Sequence, residues 1–280
     1  MDNLVPDRFY NPGGLGDIIY AIPFCLSCIG ILDSSHLDCG MKFEYYLDLC
    51  LAHRDRGEDE ALKSLRMVAD VLSLQPYIKG LHVAKSVDWN GARALDLGII
   101  RKGRVSMENG DITRRYRFLR RLPDYYDASQ PWLVVGGAED PKYDWLEGKI
   151  AVFRTTRYRN RDIYGYTALR PYADRLVFFG TSEEHDSFVR SMRCEVPLFK
   201  GTFVDACRAF QRCAFVVGNQ TFFFSLAEAL KVPRLCEMSS EIPDVMPLGR
   251  LANAFVDSRD FIECLKMYAR ELKIQKNGSY

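Results

Sequence analysis

The chain has 280 residues, 48% of them hydrophobic and 27% charged, enough apolar sequence for a sizeable core in one large or two small domains, which excludes a disordered or fibrous chain. A formal net charge of +1 excludes a protein-wide field that would demand a polyanionic partner. No apolar run approaches the ~18–20 residues of a membrane span, and the opening Met-Asp-Asn-Leu-Val-Pro-Asp lacks the basic-then-apolar layout of a signal peptide, so a cytoplasmic protein without a membrane span is expected.

Early in the chain, Phe9-Tyr10 leads into Asn11-Pro12-Gly13-Gly14-Leu15-Gly16-Asp17, and the apolar spacing of Ile18, Ile19, Ala21, Ile22, Cys25, Leu26 and Ile29 predicts a buried helix. Glycines here permit tight turns close to a ligand or a neighbouring element. Asp17, at the helix entrance, has two readings: a helix cap, or a carboxylate able to take a proton from an acceptor hydroxyl. The spacing is neither a dinucleotide fingerprint nor a P-loop. Cys25 and Cys28 form a CxxC, but no second CxxC exists, the nine cysteines are scattered, and the four histidines show no ligand spacing. Reduced core thiols fit better than a disulfide framework or a metal site.

Further on, residues 42–49 and 80–83 read as strands, residues 58–74 as a helix, and residues 88–100 as strand and loop. Residues 112–122 have helical spacing and carry Arg114, Arg115, Arg117, Arg120 and Arg121, either a solvated face or a contact for an anionic acceptor. Pro131, Gly136, Gly137 and Pro141 then cluster with charges, which places a domain boundary near residue 140. The C-terminal helix is left free to pack back on the first domain.

After the boundary, strands are predicted at residues 149–155, 176–179, 196–199, 214–217, 234–238 and 254–256, and helices at 166–173, 182–192, 203–213 and 260–273. This alternation predicts parallel sheets covered on both faces, with ligands beyond the strand carboxyl ends. Arg154, Arg157, Arg159 and Arg161 cluster after the first of these strands, and Gly180 and Gly218-Asn219 follow two others. Arginine offers planar bidentate donors to a diphosphate. Residues 216–233 read as strand, turn and a helix of about three turns ending at Pro233, with Asn219 as N-cap and a polar stripe of Thr221, Ser225 and Glu228. That stripe either binds a ligand or faces water. The helix entrance, at Gln220 and Thr221, suits a phosphate.

Taken together, Gly14-Leu15-Gly16-Asp17-Ile18-Ile19-Tyr20-Ala21-Ile22-Pro23 and the later Gly218-Asn219-Gln220-Thr221, Leu226-Ala227, Ala229-Leu230 and Val232-Pro233 resemble the motifs of the ADP-heptose lipopolysaccharide heptosyltransferases. The resemblance spans most of the chain and rests on the order of the two motifs in successive domains. There are departures: Gln220 stands where the family usually has Asp, Phe222 where it has Gly, Ser225 where it has His, and Glu228 where it commonly has a small residue.

That resemblance implies an α/β protein of two Rossmann-like domains facing a cleft (GT-B), an acceptor domain at residues 1–140 and a donor domain at 141–280. It implies a glycosyltransferase that moves a sugar from a nucleotide-diphosphate sugar to a hydroxyl acceptor, an anionic glycan or a modified nucleic acid among the candidates. Asp17 is then the base, with Gly14, Gly16, Arg154, Arg157, Arg159, Gly180, Asn219, Gln220, Thr221, Ser225 and Glu228 around the donor. Arginines and a helix dipole would balance the leaving diphosphate without a metal or other cofactor. Two alternatives stay open: a catalytically inactive nucleotide-sugar-binding protein of the same fold, and a glycosyltransferase acting on nucleic acid.

Overall fold

The computed structural model describes residues 5–48, 57–84, 93–102, 111–156, 158–160 and 166–274. The chain divides into two compact units, Met1–Val135 and Gly136–Tyr280.

In the first unit a four-stranded parallel sheet has the order β3-β2-β1-β4, built from β1 (Arg8–Asn11), β2 (Phe43–Asp48), β3 (Ile78–Ala84) and β4 (Ala94–Asp96). The chain crosses from β1 to β2 to β3 in one direction and then returns to place β4 on the other side of β1. The buried segment expected at residues 18–29 is two helices, α1 (Leu15–Tyr20) and α2 (Ile22–Cys28), separated at Ala21. Pro23 sits in the first turn of α2, where its missing N–H costs nothing. Helix α3 (Glu58–Leu72) carries Glu58, Asp59 and Glu60 at its positive end and buries Leu65, Val68, Val71 and Leu72. The short helix α4 (Ile99–Lys102) follows β4.

The basic segment forms only the short helix α5 (Ile112–Arg117) rather than a helix to residue 122. Tyr125 explains the stop: its hydroxyl lies 3.1 Å from the Arg117 carbonyl and 2.7 Å from that of Arg120, capturing groups that a longer helix would use.

In the second unit five parallel strands have the order β6-β5-β7-β8-β9: β5 (Ile150–Phe153), β6 (Leu176–Phe178), β7 (Phe215–Asn219), β8 (Arg234–Glu237) and β9 (Ala252–Phe255). Both faces are covered, as all-parallel sheets require. Ile150, Val152, Phe215 and Val217 belong to a core shared with Phe188 of α6 (Ser182–Met192) and with Phe261, Leu265 and Tyr268 of α9 (Ser258–Glu271). Thus α9 packs on the sheet of its own unit. The opposite face meets α7 (Phe203–Arg212) and α8 (Phe222–Leu230), where the ring of Phe153 packs against those of Phe210, Phe223 and Phe224.

Two predicted elements differ. The segment expected as a helix at 166–173 is a 3-10 stretch, Thr167–Arg175, interrupted at Tyr172 beside Pro171. The strand expected at 196–199 reduces to a single bridge between Phe178 and Leu198.

Gly218 pairs with Phe153 across β5 and β7, and a Cβ there would fall 2.0 Å from the Phe153 ring and 2.5 Å from its carbonyl oxygen. Glycine at this position lets the ring lie over the strand. Gly218→Ala is therefore expected to lower the unfolding free energy by about 2–3 kcal/mol, read from the midpoint shift in urea denaturation.

Candidate functional site

In open parallel sheets ligands bind beyond the carboxyl ends of the strands where the winding direction reverses. In the first unit that point lies between β1 and β4, and the Gly-Asp motif occupies it. Asn11, the last residue of β1, is 1% exposed; it donates to the Tyr45 hydroxyl at 2.8 Å and accepts the Gly13 N–H at 2.9 Å. Gly14 is the N-cap of α1, Gly16 lies in its first turn, and the Asp17 carboxylate accepts the Gly14 N–H at 2.9 Å. A Cβ on Gly13 would meet Asp17 Cβ at 2.8 Å. The bare glycine thus lets Asp17 fold back over the turn. Asp17 is accordingly a helix cap in this structure, held in a defined place at the carboxyl edge.

In the second unit the winding reverses between β5 and β7. Asn219, expected to cap the next helix, instead ends β7: its side-chain oxygen accepts the Thr155 N–H and its amide donates to the Thr155 carbonyl, both at 3.1 Å. An amide side chain that extends the ladder to the loop after β5 cannot also cap α8. The N-cap is Thr221, which makes no side-chain cap bond, and its buried hydroxyl oxygen has no hydrogen-bond partner among the described residues. Capping threonines ordinarily satisfy a first-turn N–H. Here both the hydroxyl and the first-turn N–H groups of α8 remain for another acceptor or donor. Gln220, 9% exposed, accepts the Ser239 N–H at 2.6 Å and so ties this turn to the end of β8.

Arg154 was expected on the phosphate. Its guanidinium is instead buried in a bidentate pair with Glu237, at 2.8 and 2.9 Å, and stacks over the Tyr166 ring. Burial opposes its charge, but the hydrogen bonds and electrostatic attraction of Glu237 and Tyr166 together outweigh this and raise its pKa. Arg159 differs. Its Nε donates to the Thr155 carbonyl at 2.7 Å and one Nη to the Arg154 carbonyl at 3.1 Å, and no carboxylate of the described residues lies within ion-pairing distance. Burial, and then the neighbouring Arg154 charge, lower its pKa. A guanidinium held this way gains from an incoming anion. Arg157 and Arg161 lie outside the described residues.

Gly180 follows β6, where the absence of a Cβ leaves room for the Glu184 carboxylate that caps α6. Ser225 and Glu228, expected to face a ligand, are 0% and 2% exposed. The Ser225 hydroxyl donates to the Phe222 carbonyl at 2.6 Å. Glu228 pairs with Arg234 and Lys231 and accepts the Leu248 N–H at 3.2 Å. Because α8 runs back along the sheet, Glu228 lies by the first residue of β8, at the end opposite the turn. Helical spacing placed Thr221, Ser225 and Glu228 on one stripe, and its Ser225 and Glu228 face the protein.

No family model matches the sequence, and none of the curated proteins matches it. Solved structures do. The chain is similar to a glycosyl transferase of family 9 from Veillonella parvula (12% identity, TM-score 0.59, 99% of this chain and 92% of that one). It is also similar to the dodecameric iron-containing heptosyltransferase TibC in complex with ADP-D-β-D-heptose (12%, 0.56, 96% and 78%), which comes from enterotoxigenic E. coli. A third is the E. coli heptosyltransferase WaaC with ADP (14%, 0.51, 94% and 97%). The fold is that of these glycosyltransferases. At such identities the likeness is one of fold.

Cys25 and Cys28 are buried in α2, and burial raises both thiols, Cys28 to about 12. Among the described residues no group of three or more His, Cys, Asp or Glu could hold a metal ion, and no helix is long and apolar enough to cross a membrane. Glu237, Tyr166 and Asn160 were missed from sequence. The available signal was a carboxylate closing the apolar strand Leu235-Cys236-Glu237, which demands buried partners.

Glu228→Gln removes the charge facing two buried cations and is expected to cost about 3–5 kcal/mol of stability, measured by chemical denaturation.

Proposed function

We propose that the protein is a glycosyltransferase that moves a sugar from a nucleotide-diphosphate donor to a hydroxyl acceptor. The observation that carries this is Arg159, a guanidinium without a carboxylate partner among the described residues that is bonded to the Thr155 carbonyl, while the Asn219 side chain ties Thr155 to the turn before the entrance of α8, whose N-cap Thr221 makes no side-chain cap bond. A cation, a helix N-terminus and a spare hydroxyl at one strand-end crevice suit a diphosphate. The solved proteins of this fold support the donor class, since two are complexes with ADP or an ADP-heptose.

In this reading the acceptor oxygen attacks the anomeric carbon while the Asp17 carboxylate takes the hydroxyl proton. As the bond between the anomeric carbon and the diphosphate oxygen breaks, its electron pair leaves with the diphosphate. Arg159, the first N–H groups of α8 and the Thr221 hydroxyl meet that added charge, a task that requires no metal ion. The Gly14 N–H keeps Asp17 oriented.

Thermal-shift screening against nucleoside diphosphates and their sugars tests the donor, because a ligand at about 100 times its Kd adds about 2.7 kcal/mol of stability. No shift with any diphosphate would count against the reading. Arg159→Ala should then weaken diphosphate binding about ten-fold or more in calorimetry, as loss of a charged hydrogen bond does.

Asp17→Asn separates base from cap, since the amide oxygen can still accept the Gly14 N–H. It is expected to keep its melting temperature and donor affinity while turnover falls by about 10²–10⁴. Retained turnover would remove Asp17 as the base. Donor binding without transfer to any acceptor would point to a binding protein of this fold.

A further inference from the structure

The loop that carries Arg159 leaves β5 at Arg154 and is still at the sheet edge at Asn160. Both of its ends meet one carboxylate. Glu237, the last residue of β8, is fully buried, and its two oxygens receive four hydrogen bonds. One oxygen takes Arg154 Nη2 at 2.9 Å and the Asn160 backbone N–H at 2.8 Å; the other takes Arg154 Nε at 2.8 Å and the Tyr166 hydroxyl at 2.7 Å. Four donors around two oxygens satisfy a buried carboxylate.

Asn160 completes the attachment. Its side-chain amide donates to the Met238 carbonyl and, at 3.1 Å, to the Val256 carbonyl, and its oxygen accepts the Ser240 N–H at 3.0 Å. Between these ends Thr155 is held by Asn219, and Arg159 folds back onto the carbonyls of Thr155 and Arg154. Glu237 neutralises Arg154 and, among the described residues of the cluster, leaves Arg159 as the arginine without a carboxylate partner.

We propose that Glu237 is a positioning residue for the anion site: by clasping both ends of the 154–160 loop it sets where Arg159 presents its charge, without touching the ligand itself. The inference rests on the diphosphate reading above. Preorganised donors bind more tightly because ordering them costs nothing at the moment of binding. Releasing the loop should therefore weaken anion binding even with Arg159 intact.

The test uses inorganic pyrophosphate as the probe, by calorimetry on the full chain, together with hydrogen exchange. Glu237→Gln replaces two acceptor oxygens by one and puts an N–H donor where donors already point. It is expected to weaken pyrophosphate about ten-fold or more and to speed exchange of the Asn160 amide, while Val217 in the sheet centre stays protected. Tyr166→Phe deletes one of the four hydrogen bonds, spares the ion pair, and is expected to weaken pyrophosphate about three-fold; it serves if Glu237→Gln does not fold. Arg234→Met, which disrupts a buried ion pair at the other end of the same strand, controls for lost stability and is expected to leave pyrophosphate affinity unchanged.

Equal affinity in wild type and both clasp variants would overturn the positioning role while leaving the diphosphate reading intact. Equal weakening in Arg234→Met would overturn it too, by assigning the effect to global stability. A wild-type protein that binds no pyrophosphate would overturn the diphosphate reading and this inference with it, even if the exchange data show the clasp.

Discussion

A parallel sheet whose winding reverses must leave two neighbouring strands with diverging exits, and the backbone of those exits has nothing regular to pair with. In the second unit this happens between β5 and β7, and the structure answers it with side chains. Asn219 takes both backbone groups of Thr155, and Gln220 takes the N–H of Ser239. These amides stand in for ladder hydrogen bonds and tie the diverging exits together. With Asn219 so engaged, the entrance of α8 goes uncapped. The unpaired edge that the topology creates is thus passed to a place where a ligand can use it.

Strand β8 carries buried charge at both ends. Arg234 at its start pairs with Glu228, and Glu237 at its end pairs with Arg154. Removing one member of such a pair strands the other in a medium that cannot solvate it. The two ends differ in their surroundings. Around Glu228 the partners Lys231, Arg234 and Leu248 close the amino-terminal edge of the strand. Around Glu237 the donors come from a loop at the carboxyl edge, where a ligand site belongs. The same chemistry serves packing at one end and presentation of a cation at the other.

The first unit reaches its site by a shorter route. Asn11, Gly13 and Asp17 lie within seven residues, and their hydrogen bonds fold the turn upon itself. Local geometry of this kind is legible from spacing, because neighbours in sequence are obliged to be neighbours in space. For the same reason the capping reading of Asp17 could be read in advance. The cap of α8 was displaced by two residues because Asn219 answers to Thr155, 64 positions away.

The sequence by itself determined the alternation of strands and helices, the glycine-lined turns at the strand exits and the presence of cations after β5, since each follows from short-range periodicity or residue chemistry. Tertiary structure alone decided which arginine is neutralised by a carboxylate and which is held by backbone carbonyls. Arg154 and Arg159 look equivalent in a run of arginines. They differ because β8, which comes some 80 residues later in the chain, brings Glu237 alongside β7 and within reach of Arg154. It decided likewise that Ser225 and Glu228 face the protein, because a helical stripe states which residues share a side and only packing states what that side meets.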